Sequence, residues 1–436
     1  MSDLQYDVFI IGGGQAGIPL AEALAKAGRR VALAERKNLG GSCINFGCTP
    51  TKAAIASARV AHLARRAADF GIRIPTVEVD FPAVIKRARG IVEEWRSSLA
   101  GRFSENPELI RGHARLLGRQ GSAFAISVGD RVLTADQVVL DTGTRSVIPK
   151  IQGLEKIDYL TSENWLDHFE LPESLAMIGG GYVGLEMGQF YRRMGSRVTI
   201  WQHGPRIAPR EDEDVSEAMQ KVLEREGIEF HLNSEPESID ELDASHVFIG
   251  VGRRPNTDDL GLETVGVEMD RGILKVDKRL ATNVPGIWAA GDIRGGLMST
   301  HTAWDDYRVL ESQIAGDGKR TTDRVTPYAM FIDPELGRVG MTEREAREQG
   351  RKIRVTHFDM SRSGKAIEIG ETEGFIKVVI EEDTGLILGA AVLASEGGEL
   401  VHMYIDIMNA KAPASVIRDA VHIHPTLAEA IQSAVS

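Results

Sequence analysis

The chain carries the same strand, glycine turn, helix and strand pattern twice, and this duplication restricts its fold more than any other feature. Tyr6-Asp7-Val8-Phe9-Ile10-Ile11 reads as a buried strand that enters Gly12-Gly13-Gly14-Gln15-Ala16-Gly17 and then an amphipathic helix ending near Gly28. A second strand, Arg30-Val31-Ala32-Leu33-Ala34, ends at Glu35. Further on, Leu175-Ala176-Met177-Ile178 feeds Gly179-Gly180-Gly181-Tyr182-Val183-Gly184, a helix to about Gly195, and the strand Arg197-Val198-Thr199-Ile200-Trp201. Glu35 lies 23 residues after Gly12, and Gln202 lies 23 after Gly179. In such a turn the first glycine makes the sharp bend and the second lets backbone approach a pyrophosphate. The third lets helix pack on strand, and the phosphates sit at the helix N-terminus. One glycine-rich turn is a weak signal, but two at equal spacing predict two dinucleotide-binding halves.

The halves differ at the residue that reads the ribose. Glu35 suits a free 2′-hydroxyl, whereas Gln202 is neutral and has His203, Arg206 and Arg210 nearby, so either nicotinamide dinucleotide fits the second half. Arg206 and Arg210 read equally well as a solvated loop beside the acidic run Glu211-Asp212-Glu213-Asp214.

The only two cysteines, Cys43 and Cys48, stand in Gly40-Gly41-Ser42-Cys43-Ile44-Asn45-Phe46-Gly47-Cys48-Thr49-Pro50-Thr51-Lys52. Two thiols this close suit redox or metal chemistry better than a structural crosslink, although a chance pair of small residues reads the same way. Zinc is the weaker choice, because there is no second cysteine pair and the histidines do not fall at finger spacing. In a regular helix, positions i and i+5 lie about 8 Å apart and point roughly 140° away from each other, too far for a disulfide. The backbone must therefore bend between them. Gly47 permits the bend, and Pro50 suits the first turn of a following helix. Cys48 then lies at a helix N-terminus near Lys52, where its thiol pKa should fall.

Length and composition agree with this reading. A chain of 436 residues has room for about three domains, and its 46 glycines suit an α/β fold with many tight turns. A net charge of −12 and a pI near 5.5 argue against nucleic acid or an anionic membrane surface as partner. No segment approaches ~20 uninterrupted apolar residues. Met1-Ser2-Asp3-Leu4-Gln5 lacks the basic and apolar regions of a signal peptide, so a cytoplasmic protein is expected.

Two nucleotide folds around Gly-Gly-x-Cys-x-Asn-x-Gly-Cys-x-Pro-x-Lys, unbroken over residues 40–52, resemble the class I flavoprotein pyridine nucleotide-disulfide oxidoreductases. That family includes dihydrolipoamide dehydrogenase, glutathione reductase and mercuric reductase, and the resemblance spans nearly the whole chain. It implies an α/β fold with two Rossmann-like domains and a C-terminal α+β dimerisation domain. FAD would occupy residues 1–148 with 272–320, NAD(P) residues 149–271, and the dimer interface residues 321–436. Gly12, Gly14, Gly17, Glu35, Ser42, Lys52 and Ala114 are implied as FAD contacts. Thr142 and Gly143, with Gly252-Arg253-Arg254-Pro255-Asn256, look like the turns where the chain crosses between nucleotide domains. Thr282-Asn283-Val284-Pro285-Gly286-Ile287-Trp288-Ala289-Ala290-Gly291-Asp292 looks like the second FAD motif, with Asp292 on the ribityl chain. Leu297-Met298-Ser299-Thr300-His301-Thr302 looks like the helix start that faces the flavin, which makes His301 a cofactor residue. Gly179, Gly181, Tyr182, Gly184 and Gln202 are implied for the nicotinamide dinucleotide, with Tyr182 shielding its pocket.

The same resemblance implies the chemistry. Electrons would pass from NAD(P)H through FAD to a Cys43–Cys48 disulfide, with Cys48 as charge-transfer thiolate and Cys43 as interchange thiol. Lys52 would pair with Glu186. Near the C-terminus, His422-Ile423-His424-Pro425-Thr426-Leu427-Ala428-Glu429 suggests a carboxylate, Glu429, oriented on the imidazole of His424. In the family this histidine is the base for the dithiol of the partner subunit, so the homodimer shares its active sites. Taken alone, His424 reads as a capped structural histidine, and His422 as a packing or lining residue.

The chain also departs from its relatives. The tail after Glu429 has none of the vicinal cysteines that mercuric reductases of the usual kind need. Yet Trp304-Asp305-Asp306-Tyr307-Arg308 looks like the mercuric-reductase-like branch, while residues 422–429 look like the dehydrogenase form. Asp141 stands where relatives carry a small apolar residue before Thr-Gly, and the sequence offers no reason for it. The readings left open are a small-disulfide reductase or dihydrolipoamide-type dehydrogenase, a metal-ion or quinone reductase using the same flavin–dithiol centre, and a subunit that reoxidises a lipoyl arm in a larger assembly. No resident metal is expected.

Overall fold

A computed structural model describes residues 5–436; residues 1–4, on which the reading of the N-terminus rests, lie outside the described residues. Three sheets organise the chain. In the first, the strands Glu108–Arg111, Val31–Glu35, Gln5–Ile11 and Arg131–Leu140 run parallel in that order, and Ile287–Ala289 joins the end of Arg131–Leu140. The antiparallel strands Ala123–Val128 and Ala114–Gln120 extend its far side. Val8, Phe9 and Ile10 are fully buried, as expected of a parallel strand covered on both faces. The second sheet is wholly parallel, in the order Ile228–Leu232, Arg197–Gln202, Ser174–Ile178, His246–Ile249 and Leu160–Thr161. Between Leu232 and His246 there is only the short 3₁₀ turn Ile239–Glu241, and no strand.

The chain passes between these two units through an antiparallel pair, Thr144–Ser146 against Arg253–Pro255. Arg253 fastens the crossing: its guanidinium donates to the Thr144 hydroxyl at 2.8 Å, the Thr144 carbonyl at 2.9 Å and the Ser162 hydroxyl at 2.9 Å. The helix Phe81–Ala100, capped by Asp80 and carrying Pro82 in its first turn, packs Phe81 against Phe190 and Tyr191 of the helix Tyr182–Met194. Aromatic pairs of this kind bind the two nucleotide units over a large apolar area.

The third sheet is antiparallel, in the order Pro327–Met330, Glu335–Gly340, Ile387–Ala394, Phe375–Glu381 and Ile353–Asp359. Side chains alternate across a strand, so Ile376, Val378 and Ile380 face the C-terminal helices while Phe375 and Lys377 face the second nucleotide unit. That second face is anchored by charge. Glu211 and Arg338, each almost fully buried, pair at 3.2 Å, and Tyr328 donates to the same carboxylate. Lys377 contacts Asp212, Asp214 and Glu343 at 3.2, 2.9 and 2.8 Å. Asp212 also accepts the Glu343 and Arg344 N–H groups at the start of the helix Glu343–Glu348. The acidic run of residues 211–214 is therefore the clamp between two units, not the flank of a solvated loop.

Breaking one side of a buried ion pair leaves an uncompensated charge, at a cost of about 3–5 kcal/mol. Arg338→Met should lower stability by that amount in chemical denaturation, and adding Glu211→Gln should restore most of it.

Candidate active site

The two cysteines sit on either side of a deliberate break. A short helix, Gly41–Asn45, stops at Phe46, and the 18-residue helix Cys48–Arg65 starts immediately after Gly47. The Ser42 carbonyl accepts the N–H groups of both Phe46, at 3.1 Å, and Gly47, at 2.7 Å. A Cβ on residue 47 would lie 2.9 Å from that carbonyl, so glycine is required by close approach. Asn45 donates to the Leu39 and Gly41 carbonyls and accepts from Arg96, and Trp165 donates its indole N–H to the Phe46 carbonyl at 3.0 Å. The bend is thus held from four directions.

Both cysteines are free, and each shifts the ionisation of the other. The Cys43 thiol, then Lys52 and Thr300, hold Cys48 well below the ordinary thiol range despite burial. The neighbouring Cys48 side chain, then burial, pushes Cys43 up. Cys48 Sγ lies 3.3 Å from the Thr300 hydroxyl. Lys52 is one turn further along the helix and pairs with Glu186 at 2.7 Å, while the other Glu186 oxygen accepts the Phe331 N–H at 2.9 Å. Burial alone would lower the Lys52 ammonium, but Glu186 and Cys48 raise it on balance.

These groups line one end of a cleft of about 590 Å³ that continues past Asp292, Thr142, Gly143 and Ala114 to the turn of residues 12–14 and to Glu35. Ser42 and Tyr182 also line it. Gly17 lies beneath, where a Cβ would meet the Gly12 carbonyl at 2.3 Å; in the second half Gly184 stands in the same relation to the Gly179 carbonyl, at 1.9 Å. Glu35 accepts the N–H groups of Gly13, at 2.8 Å, and Lys37, at 2.7 Å. Gln202 repeats the first of these contacts, accepting the Gly180 N–H at 2.9 Å, and is buried. Gly179, Gly181, Gln202 and Gly252 belong to the second nucleotide unit and do not line this cleft. Arg206 pairs with Glu213 at 3.4 Å.

Three other expected site residues, His301, His424 and Glu429, do not line this cleft. His301 is not part of the cleft lining; its Nε2 is 2.7 Å from the Pro327 carbonyl, and burial lowers its pKa. His424 and Glu429 do meet, Nδ1 lying 3.0 and 3.1 Å from the two carboxylate oxygens. The Thr426 N–H, then His424, holds Glu429 below the usual carboxylate range. This pair is solvent-exposed and apart from the dithiol of its own chain. Sequence reading missed Thr300, Trp165 and Arg253. Thr300 had one available signal, its place beside His301 at a helix start; the other two act only through contacts distant in the chain.

The cleft fits an FAD. Gly12 and Gly14, in the turn before the helix Gly17–Lys26, line one part of it and the dithiol another, as a dinucleotide with its pyrophosphate at that helix start would need. Among the described residues, no group of three or more His, Cys, Asp or Glu is placed to hold a metal ion, and no helix is long and apolar enough to cross a membrane. Comparison with known proteins agrees with this chemistry. The family model described as pyridine nucleotide-disulphide oxidoreductase matches residues 6–306, and that of the family's dimerisation domain matches residues 326–435. The probable pyridine nucleotide-disulfide oxidoreductase RclA of Escherichia coli (strain K12) is 33% identical, covering 99% of each chain. A dihydrolipoyl dehydrogenase of Bacillus subtilis (strain 168) is 32% identical, over 98% of this chain and 95% of its own. The solved structure of HOCl-induced flavoprotein disulfide reductase RclA from Escherichia coli superposes with a TM-score of 0.89 over 99% of both chains, at 33% identity. Enzymes of this kind use FAD and NAD(P)H and work as homodimers on disulfide substrates. The chain belongs to the pyridine nucleotide-disulphide oxidoreductases, as an FAD-dependent NAD(P)H:disulfide oxidoreductase.

Proposed function

We propose that Cys43 and Cys48 are the redox dithiol of this enzyme, with Cys48 the stabilised thiolate and Cys43 the thiol that meets the substrate. The observation that carries this reading is the placement of Cys48 at a helix start, within reach of Thr300 and one turn from the Lys52–Glu186 pair. FAD, when bound, passes reducing equivalents from NAD(P)H to the disulfide form of the pair. The chain's own residues do the rest. Deprotonated Cys43 attacks a sulfur of the substrate disulfide, forming a mixed disulfide and expelling a thiolate. Cys48 then attacks Cys43, restoring the intramolecular disulfide and releasing the second thiol. His424 of the partner subunit, oriented by Glu429, takes the Cys43 proton and returns it to the leaving sulfur. Lys52 keeps positive charge beside Cys48, and Glu186 holds that ammonium in place.

We assign residues 1–148 with 272–320 to FAD, 149–271 to NAD(P) and 321–436 to the dimer interface; the three sheets and the crossing pair support this division. A lipoyl-type disulfide is the proposed substrate class, supported by similarity to dihydrolipoyl dehydrogenases and by residues 422–429. The expected cytoplasmic location suits a dithiol kept reducible by nicotinamide dinucleotides. A second reading is reduction of a metal ion or quinone by the same centre. It is favoured by one finding: a similar solved structure is a Cu(II) complex of RclA.

Three measurements test these assignments. Alkylation of the reduced protein against pH should show Cys48 ionising below the ordinary thiol range, and Lys52→Met should move that midpoint upward; an unmoved midpoint refutes the role of Lys52. His424→Ala should leave reduction of the bound flavin by NAD(P)H intact but slow disulfide reduction about 100-fold or more. Anaerobic enzyme reduced with NADH or NADPH, then mixed with lipoamide, small disulfides, Cu(II) or quinones, should be reoxidised fastest by a disulfide; faster reoxidation by Cu(II) or a quinone selects the second reading.

A further inference from the structure

Asp141 has no counterpart in the mechanism, yet it is buried in the wall of the cofactor cleft. It follows directly on the strand Arg131–Leu140, its N–H bonded to the Ile11 carbonyl at 2.8 Å. Its carboxyl accepts the Gly17 N–H at 2.7 Å on Oδ2. The same group lies against two glycines from the two ends of the chain's nucleotide motif: an added Cβ would meet it at 2.6 Å from Gly14 and at 2.7 Å from Gly291. Asp141 thus lies where the phosphates of a dinucleotide approach the turn of residues 12–14.

An ionised carboxylate would be poorly placed there. No ion pair among the described residues includes Asp141. The cations beside its acidic neighbours are committed to other groups: Arg294 and Arg324 to Asp306, both at 2.7 Å, and Arg253 to Thr144, Ser162 and Glu163. The groups that face it are themselves acidic, namely Asp292, which accepts from Thr144, and the fully buried Asp306. The Gly17 and Ala16 N–H groups, at the start of the helix Gly17–Lys26, favour a negative charge. Burial outweighs them and pushes the carboxyl well above the usual carboxylate range, and Asp292 and Asp306 push it further. Bound phosphates would add to the same effect.

We propose that Asp141 serves the cofactor cleft as a carboxylic acid, one oxygen accepting the Gly17 N–H and the hydroxyl donating a hydrogen bond to a dinucleotide phosphate held over the glycine turn. A side chain that would repel the cofactor as an anion then becomes one of its donors. The inference rests on FAD being the resident group of this cleft.

The test uses the full-length holoenzyme. Infrared difference spectra of wild type against Asp141→Asn at neutral pH should show the carbonyl stretch of a protonated carboxylic acid that the variant lacks. On exhaustive dialysis, Asp141→Asn, whose amide still donates, should retain FAD within about threefold of wild type, while Asp141→Leu should lose it at least about tenfold more readily. If Asp141 is instead an anion, the carbonyl band is missing and Asp141→Asn holds FAD about tenfold or more tightly than wild type, because a like charge has been removed. Either result overturns the proposal, as does undiminished FAD retention by Asp141→Leu. Should Asp141→Leu fail to fold, the infrared and asparagine results decide alone. Wild-type protein that is yellow but lacks the band defeats this inference only; wild-type protein that cannot take up FAD defeats the functional reading on which it rests.

Discussion

The Lys52–Glu186 ion pair joins the three parts of the molecule at the place where the chemistry happens. Lys52 comes from the dithiol helix, Glu186 from the helix of the second nucleotide unit, and the second oxygen of Glu186 is taken by the backbone of Phe331 in the third. Glu186 is almost completely buried, so moving any of these segments would strand a charge in the protein interior. The pair therefore sets the relative position of the units by penalising every other arrangement. Lys52 stands four residues after Cys48, on the same face of one helix, so the cation beside the thiol is positioned by a different part of the chain.

The neighbourhood of the dithiol also makes two chemically identical side chains unequal. Cys48 has the helix start, Lys52 and the Thr300 hydroxyl, all of which favour the thiolate. Cys43, on the short helix before the break, is pushed the other way by the Cys48 side chain and by burial. The inequality comes from the bend at Phe46 and Gly47, because a continuous helix would point the two sulfurs apart. Trp165, Asn45 and Arg96 hold the bend, and none of the three carries any redox chemistry.

Much of this was readable in the sequence, for a local reason. Glycine turns, the cysteine spacing and Pro50 in the first turn of its helix act through neighbouring residues, and their consequences stay close in the chain. The symmetry of the two halves even reached Glu35 and Gln202, which accept equivalent backbone N–H groups. The role of the acidic run of residues 211–214 was not legible because its partners are remote: Arg338 lies 127 residues from Glu211, and Lys377 lies 163 from Asp214. A cluster of carboxylates looks solvated until the cations that neutralise it are known. The contact of the His301 ring with the Pro327 carbonyl was hidden for the same reason, since its partner lies 26 residues away.

The sequence alone determined where the backbone must turn, which glycines let helix pack closely on strand, and that two thiols stand on opposite sides of a bend. These follow from steric rules that operate over a few residues. Tertiary structure decided which charges are buried, which cation meets which carboxylate, and whether Asp141 faces water or other acids. Those outcomes depend on desolvation and on partners brought together from distant segments, and no local pattern encodes either.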